Sequence, residues 1–349
     1  MATKNDLFVP KSVVLELTYL CNHRCLFCSC PWEDTTGAEK YGKGDELSIG
    51  QWKEALGALH GHGVENVSIS GGEALLKEGL IGFLKYIRED THFNNGSDIV
   101  LISNGRSMSE EFLSAFKEYG VHLSLSLPGL ETFEELTGFD NAGGVLHWLS
   151  RARQEGVGTT CNVTVTKLNH FELYETIANG LVAGADTLLL NRFLAGGRGI
   201  GNRGYLSIDN KELNEMLDIA EDVLVKANRK GSVGTEIPLC AIAKGAWRYK
   251  RLSIGSICAA GKEFFVIDPS GAVRVCNHSP RIVGHVFDRE LVTDRAYWDT
   301  FVRRGYIPSA CTNCADVSYC DCGCRETASI LYGSLSAKDP CLMAVGEAG

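Results

Sequence analysis

The sequence predicts an α/β fold: a partial, TIM-like (β/α)6 barrel followed by a small cysteine-rich domain. Three observations predict it. Short runs rich in Val, Ile and Leu alternate six times with helical patterns between residue 12 and about residue 205. Those runs are near-continuously apolar, as strands of a parallel sheet are. Eight of the 14 cysteines then crowd into residues 255–349, where the strand–helix rhythm stops. Six units suit an open barrel better than a closed eightfold one, which takes ~250 residues.

The strand candidates are residues 13–18, 66–70, 98–103, 121–127, 160–166 and 186–193, each bounded by turn residues. Between them, Ser48 caps a helix over residues 49–60 with Leu56 and Leu59 on one face. Further helices are expected over 74–90, 109–119, 131–155 (interrupted at Gly143-Gly144) and 171–182. The glycine-rich stretch 196–201 lacks a following GK[ST] and reads as a flexible exit from the barrel, not a phosphate cradle. Residues 210–230 form a helix with Leu213, Met216, Leu217, Ala220 and Leu224 on one face. Residues 264–268 and 272–276, joined by Pro269-Ser270-Gly271, read as a hairpin. The expected divisions are therefore an N-terminal segment 1–12, a core 13–205, a helical linker 206–254 and a cysteine-rich domain 255–349.

The chain has 349 residues, 44% of them hydrophobic, enough for one large and one small domain. A net charge of -9 and a pI near 5.5 argue against nucleic acid or an anionic membrane as partner. No run approaches the ~18 apolar residues of a membrane span, and the first residues show no signal-peptide core. A cytoplasmic protein is expected. In a reducing compartment, clustered cysteines bind metal more often than they form disulfides.

The chemistry begins at Cys21-Asn22-His23-Arg24-Cys25-Leu26-Phe27-Cys28, where the first strand ends. Three thiolates on one short loop can hold three corners of an iron–sulfur cluster and leave the fourth iron open. The spacing alone also allows a zinc knuckle or three separate buried thiols. The second strand ends in Ser70-Gly71-Gly72-Glu73; two glycines let a ligand approach the backbone, and Glu73 can accept from an ammonium. On its own that motif is also a helix N-terminus with a favourable acid.

Together these features resemble the radical S-adenosylmethionine (SAM) superfamily: its C-x3-C-x2-C as Cys21, Cys25 and Cys28, its aromatic as Phe27, and its GGE as Gly71, Gly72 and Glu73. The resemblance implies that Phe27 lies against the adenine of SAM and that Glu73 meets the methionine amine. It adds Ser103 and Asn104 at the third strand's end, Ser124 and Ser126 on the fourth, Asn162 on the fifth and Arg192 at the end of the sixth as SAM contacts. The acid that relatives carry after the fourth strand is absent; Pro128-Gly129 stands there.

The C-terminal pattern Cys311-x2-Cys314-x5-Cys320-x3-Cys324, then Cys341, preceded by Cys258 and Gly271-x4-Cys276, resembles the SPASM extension. It implies two auxiliary [4Fe–4S] clusters, three in all with the SAM-binding one. Cys311, Cys314, Cys320 and Cys341 would hold one. Cys258, Cys276 and Cys324 would hold the other, with Cys240 as candidate fourth ligand unless that corner has none. A pair of zinc ribbons is the alternative reading of the same spacing. Cys322 replaces a glycine common in relatives, and Cys30 and Cys161 read as core or loop thiols.

Such a radical SAM oxidoreductase would cleave SAM reductively and abstract hydrogen from a peptide, as maturases of ribosomally made peptides do, leaving a crosslink or an oxidised residue. Other readings are a sulfatase-maturase-like protein oxidase, a dehydrogenase of a small sugar or amino-alcohol, and a non-catalytic electron-transfer protein. An acid follows the Gly-x4-Cys cysteine in sulfatase maturases; here Asn277-His278 follows Cys276, which favours peptide crosslinking. His278, Asp316, Tyr319 and Asp321 are candidate bases. About a dozen residues precede the first strand, so recognition by a separate leader-recognition protein, or by the barrel mouth, is expected. A flavodoxin- or ferredoxin-type protein is the expected electron donor.

Overall fold

The computed structural model describes residues 7–36, 41–89, 93 and 99–342. Asp90 and Asp98, where one helix and one strand were expected to end and begin, lie outside the described residues, as do 1–6 and 343–349 of the two terminal divisions.

Six parallel strands follow one another in chain order: β1 (Ser12–Glu16), β2 (Asn66–Ser70), β3 (Ile99–Ser103), β4 (Val121–Ser126), β5 (Thr159–Val165) and β6 (Thr187–Arg192). The helices between them are α1 (Ile49–Gly61), α2 (Leu80–Glu89), α3 (Glu110–Glu118), α4 (Phe133–Thr137), α5 (Ala142–Glu155) and α6 (Leu173–Ala183). Ser48 closes a capping box with Gln51 at the start of α1, so both exposed donors there find acceptors. The break expected at Gly143-Gly144 falls earlier. Gly138 ends α4 in the left-handed conformation (φ 77°), and both predicted breakers sit in the first turn of α5.

The parallel register gives the sheet two unlike faces. Leu15, Ile69, Leu101 and Leu123 align across β1–β4, and Leu125, Cys161 and Leu188 across β4–β6; all are fully buried in the core shared with the helices. The alternate positions carry Ser70, Ser124, Ser126, Asn162, Thr164 and Asn191, most of them only half-buried. A polar, partly open face in mid-sheet is where a ligand, not a hydrophobic layer, belongs.

Beyond β6 come α7 (Gly199–Leu206) and α8 (Asn210–Ala227), the latter with the expected apolar face buried. Asn228 ends it with φ 50°, earlier than the predicted residue 230. The region expected to be a helical linker then adds two more parallel strands beside β6, namely β7 (Lys230–Val233) and β8 (Leu252–Ile254). Their few residues, with Gly231 and two serines, carry too little apolar pattern to read as strands. On the other edge the predicted hairpin forms as β9 (Phe264–Ile267) and β10 (Ala272–Arg274), with β11 (Gly284–His285) outside it. β9 pairs in parallel with β1, so the cysteine-rich region continues the core sheet, giving the order β11-β10-β9-β1-β2-β3-β4-β5-β6-β7-β8. Helices α9 (Arg295–Val302) and α10 (Arg325–Tyr332) complete the described chain. A buried ion pair between Glu16 of β1 and Arg274 of β10 ties the two regions together.

Candidate active site

The cysteine loop leaves β1 at the carboxyl edge of the sheet and is held from three sides. Backbone N–H groups of Arg24 and Leu26 donate to Thr137 O and Leu136 O of α4, both at 2.8 Å. From behind, Arg198 Nη1 donates to Cys25 O (3.0 Å), Gly199 N to Cys28 O (3.1 Å) and Asn202 Nδ2 to Leu26 O (2.9 Å). Gly197, at φ 48°, backs so closely on the loop that a Cβ there would lie 2.8 Å from Cys28 O. The glycine-rich stretch is therefore a clamp on the cysteine loop, where the sequence suggested a flexible exit. From the third side, Asn104 Nδ2 donates to Asn22 Oδ1 (2.8 Å), and Asn22 Nδ2 to Ser107 Oγ (2.9 Å).

Gly71 and Gly72 sit against the same loop. Gly72 N donates to Thr18 O and Glu73 N to Leu20 O, both at 2.7 Å, and a Cβ at Gly72 would lie 2.7 Å from the Leu20 carbonyl carbon. Glu73 is buried, and burial raises its pKa. Its carboxylate accepts from Leu75 N (3.1 Å), Ser103 Oγ (2.8 Å) and Asn104 N (2.8 Å), which binds the ends of β2 and β3 together. Oε2 takes only one of these bonds, so it keeps room for a further donor.

Cys21, Cys25 and Cys28 are electrostatic neighbours. Burial pushes the Cys21 thiol up to about 11 and Cys25 well above the ordinary range. A positively charged iron cluster is the kind of partner that draws such thiols into thiolates. Among the described residues, no three His, Cys, Asp or Glu side chains converge as they would on one metal ion. A zinc ion draws its donors to ~2.0–2.3 Å of a single point.

The other expected SAM contacts divide. Ser126 and Asn162 are paired in register on the polar face, with Asn162 Oδ1 accepting from Asn191 Nδ2 (2.9 Å). Ser124 shares that face, and its buried Oγ has no hydrogen-bond partner. Phe27 packs at the edge of a small cluster of Leu136, Phe193, Ala195 and Leu206. Arg192 does not join them. It projects from the opposite face of β6, and its guanidinium clasps the buried carboxylate of Asp339 at 2.7 and 3.0 Å. Alternation along the strand turns it away from Asn191.

The C-terminal cysteines form two sets. Cys258, Cys276 and Cys324 are buried mutual neighbours. Cys240 is an electrostatic neighbour of Cys311, Cys314 and Cys320, and Cys341 of Cys240. This corrects the placing of Cys240 beside Cys258. The turn Leu239–Ala241 packs on the other set, where Leu239 N lies 3.5 Å from Cys320 Sγ. Cys322 adjoins Cys311 and holds φ 61°, the left-handed backbone that favours glycine. Cys161 lies in the core against Gly180, and Cys30 is 4.0 Å from Gly71 O.

Asp339 joins the two sets: its carboxylate accepts from Cys324 N (2.8 Å) and Cys341 N (3.0 Å). Of the candidate bases, Asp321 is held by Lys262, Arg304, Tyr306 and Cys258 N. These contacts outweigh burial and keep its pKa low. His278 bridges Ala195 O and Thr327 Oγ1. Tyr319 is largely exposed, and Asp316 adjoins it on the surface. Sequence reasoning missed Arg198, Asn202 and Asp339. Only the glycines around the first two, and the proximity of Asp339 to Cys341, hinted at them.

Residues 15–178 match the radical SAM superfamily. These residues are a radical SAM domain. Over the whole chain, the PqqA peptide cyclase of Rhodopseudomonas palustris is 27% identical across 95% of this chain and 86% of the relative. That of Bradyrhizobium diazoefficiens is 26% identical across 97% and 87%. Among solved structures, Streptococcus suis SuiB bound to S-adenosylmethionine superposes with TM-score 0.69 at 17% identity, covering 96% of this chain and 78% of SuiB. Native anSMEcpe with bound AdoMet gives 0.69 at 16%, covering 94% and 93%. These likenesses place the whole chain, with its radical SAM domain, in one fold. No helix among the described residues is long and apolar enough to cross a membrane.

Proposed function

We propose that this radical SAM enzyme reductively cleaves SAM at Cys21, Cys25 and Cys28 and modifies a ribosomally made peptide, installing a crosslink or an oxidised residue. The observation that carries the reading is the match to PqqA peptide cyclases along 95% of the chain, cysteine-rich region included. A SAM-bound [4Fe–4S] cluster supplies one-electron cleavage of the sulfonium and, through the 5′-deoxyadenosyl radical, hydrogen abstraction from an unactivated carbon. The chain's own residues do the rest. Glu73 offers a free lone pair to the methionine amine beside the loop. Ser124, Ser126 and Asn162 present hydroxyl and amide groups to ribose or carboxylate from the polar face. Arg198, Asn202 and Gly197 fix the loop, so binding energy is not spent on ordering it.

The cysteine-rich region is read as a SPASM domain with two auxiliary clusters, one on Cys258, Cys276 and Cys324 and one drawn from Cys240, Cys311, Cys314, Cys320 and Cys341. A separate leader-recognition protein and a flavodoxin- or ferredoxin-type donor complete the system.

The test is anaerobic reconstitution, then SAM, dithionite and short peptides encoded beside the gene. Release of 5′-deoxyadenosine and loss of two hydrogens from a peptide by mass spectrometry are expected, both abolished by Cys28→Ala. Turnover of a free sugar or amino-alcohol with no peptide modified would overturn it.

A further inference from the structure

We propose that Glu236 is the fourth protein ligand of the auxiliary cluster held by Cys258, Cys276 and Cys324, so that this cluster is closed by a carboxylate oxygen. The inference rests on the reading of those three cysteines as a cluster site.

Three thiolates leave one corner of a [4Fe–4S] cluster to be filled. The sequence offered Cys240, but Cys240 lies with the other set. Glu236 stands in its place. Its Oε1 faces the backbone N–H of Ala259, at 3.4 Å, the residue next to Cys258. Its own carbonyl accepts from Arg192 Nη2 (2.8 Å), and the same guanidinium holds Asp339, which accepts from Cys324 N (2.8 Å). Glu236 is thus strung between the segments that carry Cys258 and Cys324.

The carboxylate is poorly matched to any structural duty. Among the described residues it forms no ion pair, and the nearby Arg192 is already engaged by Asp339 at two nitrogens. A carboxylate in packed protein needs a cation or several donors. The backbone N–H groups of Ala259, at 3.4 Å, and of Glu236 itself do not meet that need, whereas an iron corner does. Arg192, fixed beside Cys324 and Cys341, supplies a positive charge to both auxiliary sets.

The experiment uses the full chain carrying Cys21→Ala, Cys25→Ala and Cys28→Ala, reconstituted anaerobically so that only auxiliary clusters remain. Iron is counted, and the dithionite-reduced protein is examined by electron paramagnetic resonance with and without cyanide. The parent should resist cyanide. Glu236→Ala should expose an iron, so that cyanide shifts the signal. Glu236→Cys should keep the iron count and move the g-values without becoming cyanide-sensitive. Identical spectra for parent, Glu236→Ala and Glu236→Cys would overturn the assignment, as would a cyanide-sensitive parent. Cys258→Ala separates the two claims. It should remove about four irons, and if it removes none, the cluster reading itself fails, whatever Glu236 does.

Discussion

Asp339 is the point at which β6 and both C-terminal cysteine sets are joined. It has no exposed surface and accepts four hydrogen bonds, two from Arg192 and one each from Cys324 N and Cys341 N. Asp339→Asn changes no volume but removes the charge. Arg192 is then left buried with its Nε already lacking a partner. Breaking one side of a buried pair costs about 3–5 kcal/mol. An amide has one acceptor oxygen where the carboxylate had two, so a backbone N–H at 324 or 341 also loses its partner, at about 1–3 kcal/mol. These costs overlap, and a loss of about 4 kcal/mol is expected in urea unfolding of the cluster-free protein. On the proposed two-cluster reading, iron bound by reconstituted protein should fall at both sets, because Cys324 and Cys341 hang on one carboxylate. Combining Asp339→Asn with Arg192→Met removes the stranded charge and should regain about half of the loss. The reasoning is refuted if the single variant loses less than about 1 kcal/mol, or if the double variant is the less stable of the two.

Other perturbations test other links. Gly72→Ala forces a Cβ onto the Leu20 carbonyl, a backbone group that cannot yield, and should cost about 1–3 kcal/mol; the assay is iron retention at the first cluster, expected to drop while auxiliary iron stays. Arg198→Met frees Cys25 O and should slow SAM cleavage while leaving auxiliary-cluster absorption intact; unchanged 5′-deoxyadenosine release would refute the clamp. Ser124→Ala removes a buried hydroxyl without a partner, so the SAM-free protein should be as stable or more so. If Ser124 meets SAM, binding should weaken by about 0.5–1.5 kcal/mol, which titration would read. Cys161→Ala should leave iron content and SAM cleavage unchanged and cost about 1 kcal/mol in stability.

The sequence by itself determined the six-unit alternation, and each predicted strand lies within two residues of an observed one wherever both ends are described. Local patterns sufficed because apolar strands and capped helices are decided by neighbours in sequence. The C-x3-C-x2-C loop and Gly71-Gly72-Glu73 were legible for the same reason, since each is a contiguous motif at a strand end. Tertiary structure alone decided the rest. It turned Arg192 away from the polar face toward Asp339, 147 residues further on. It made a clamp of the glycine-rich stretch, because Arg198 and Asn202 acquire partners only when that loop folds behind Cys25. It moved Cys240 to the other cysteine set and left Glu236 beside Cys258 and Cys324. Charge pairing and ligand grouping depend on which distant segments meet. Here that was fixed by β7 and β8, strands too short to announce themselves, and by a hairpin that returns to pair with β1.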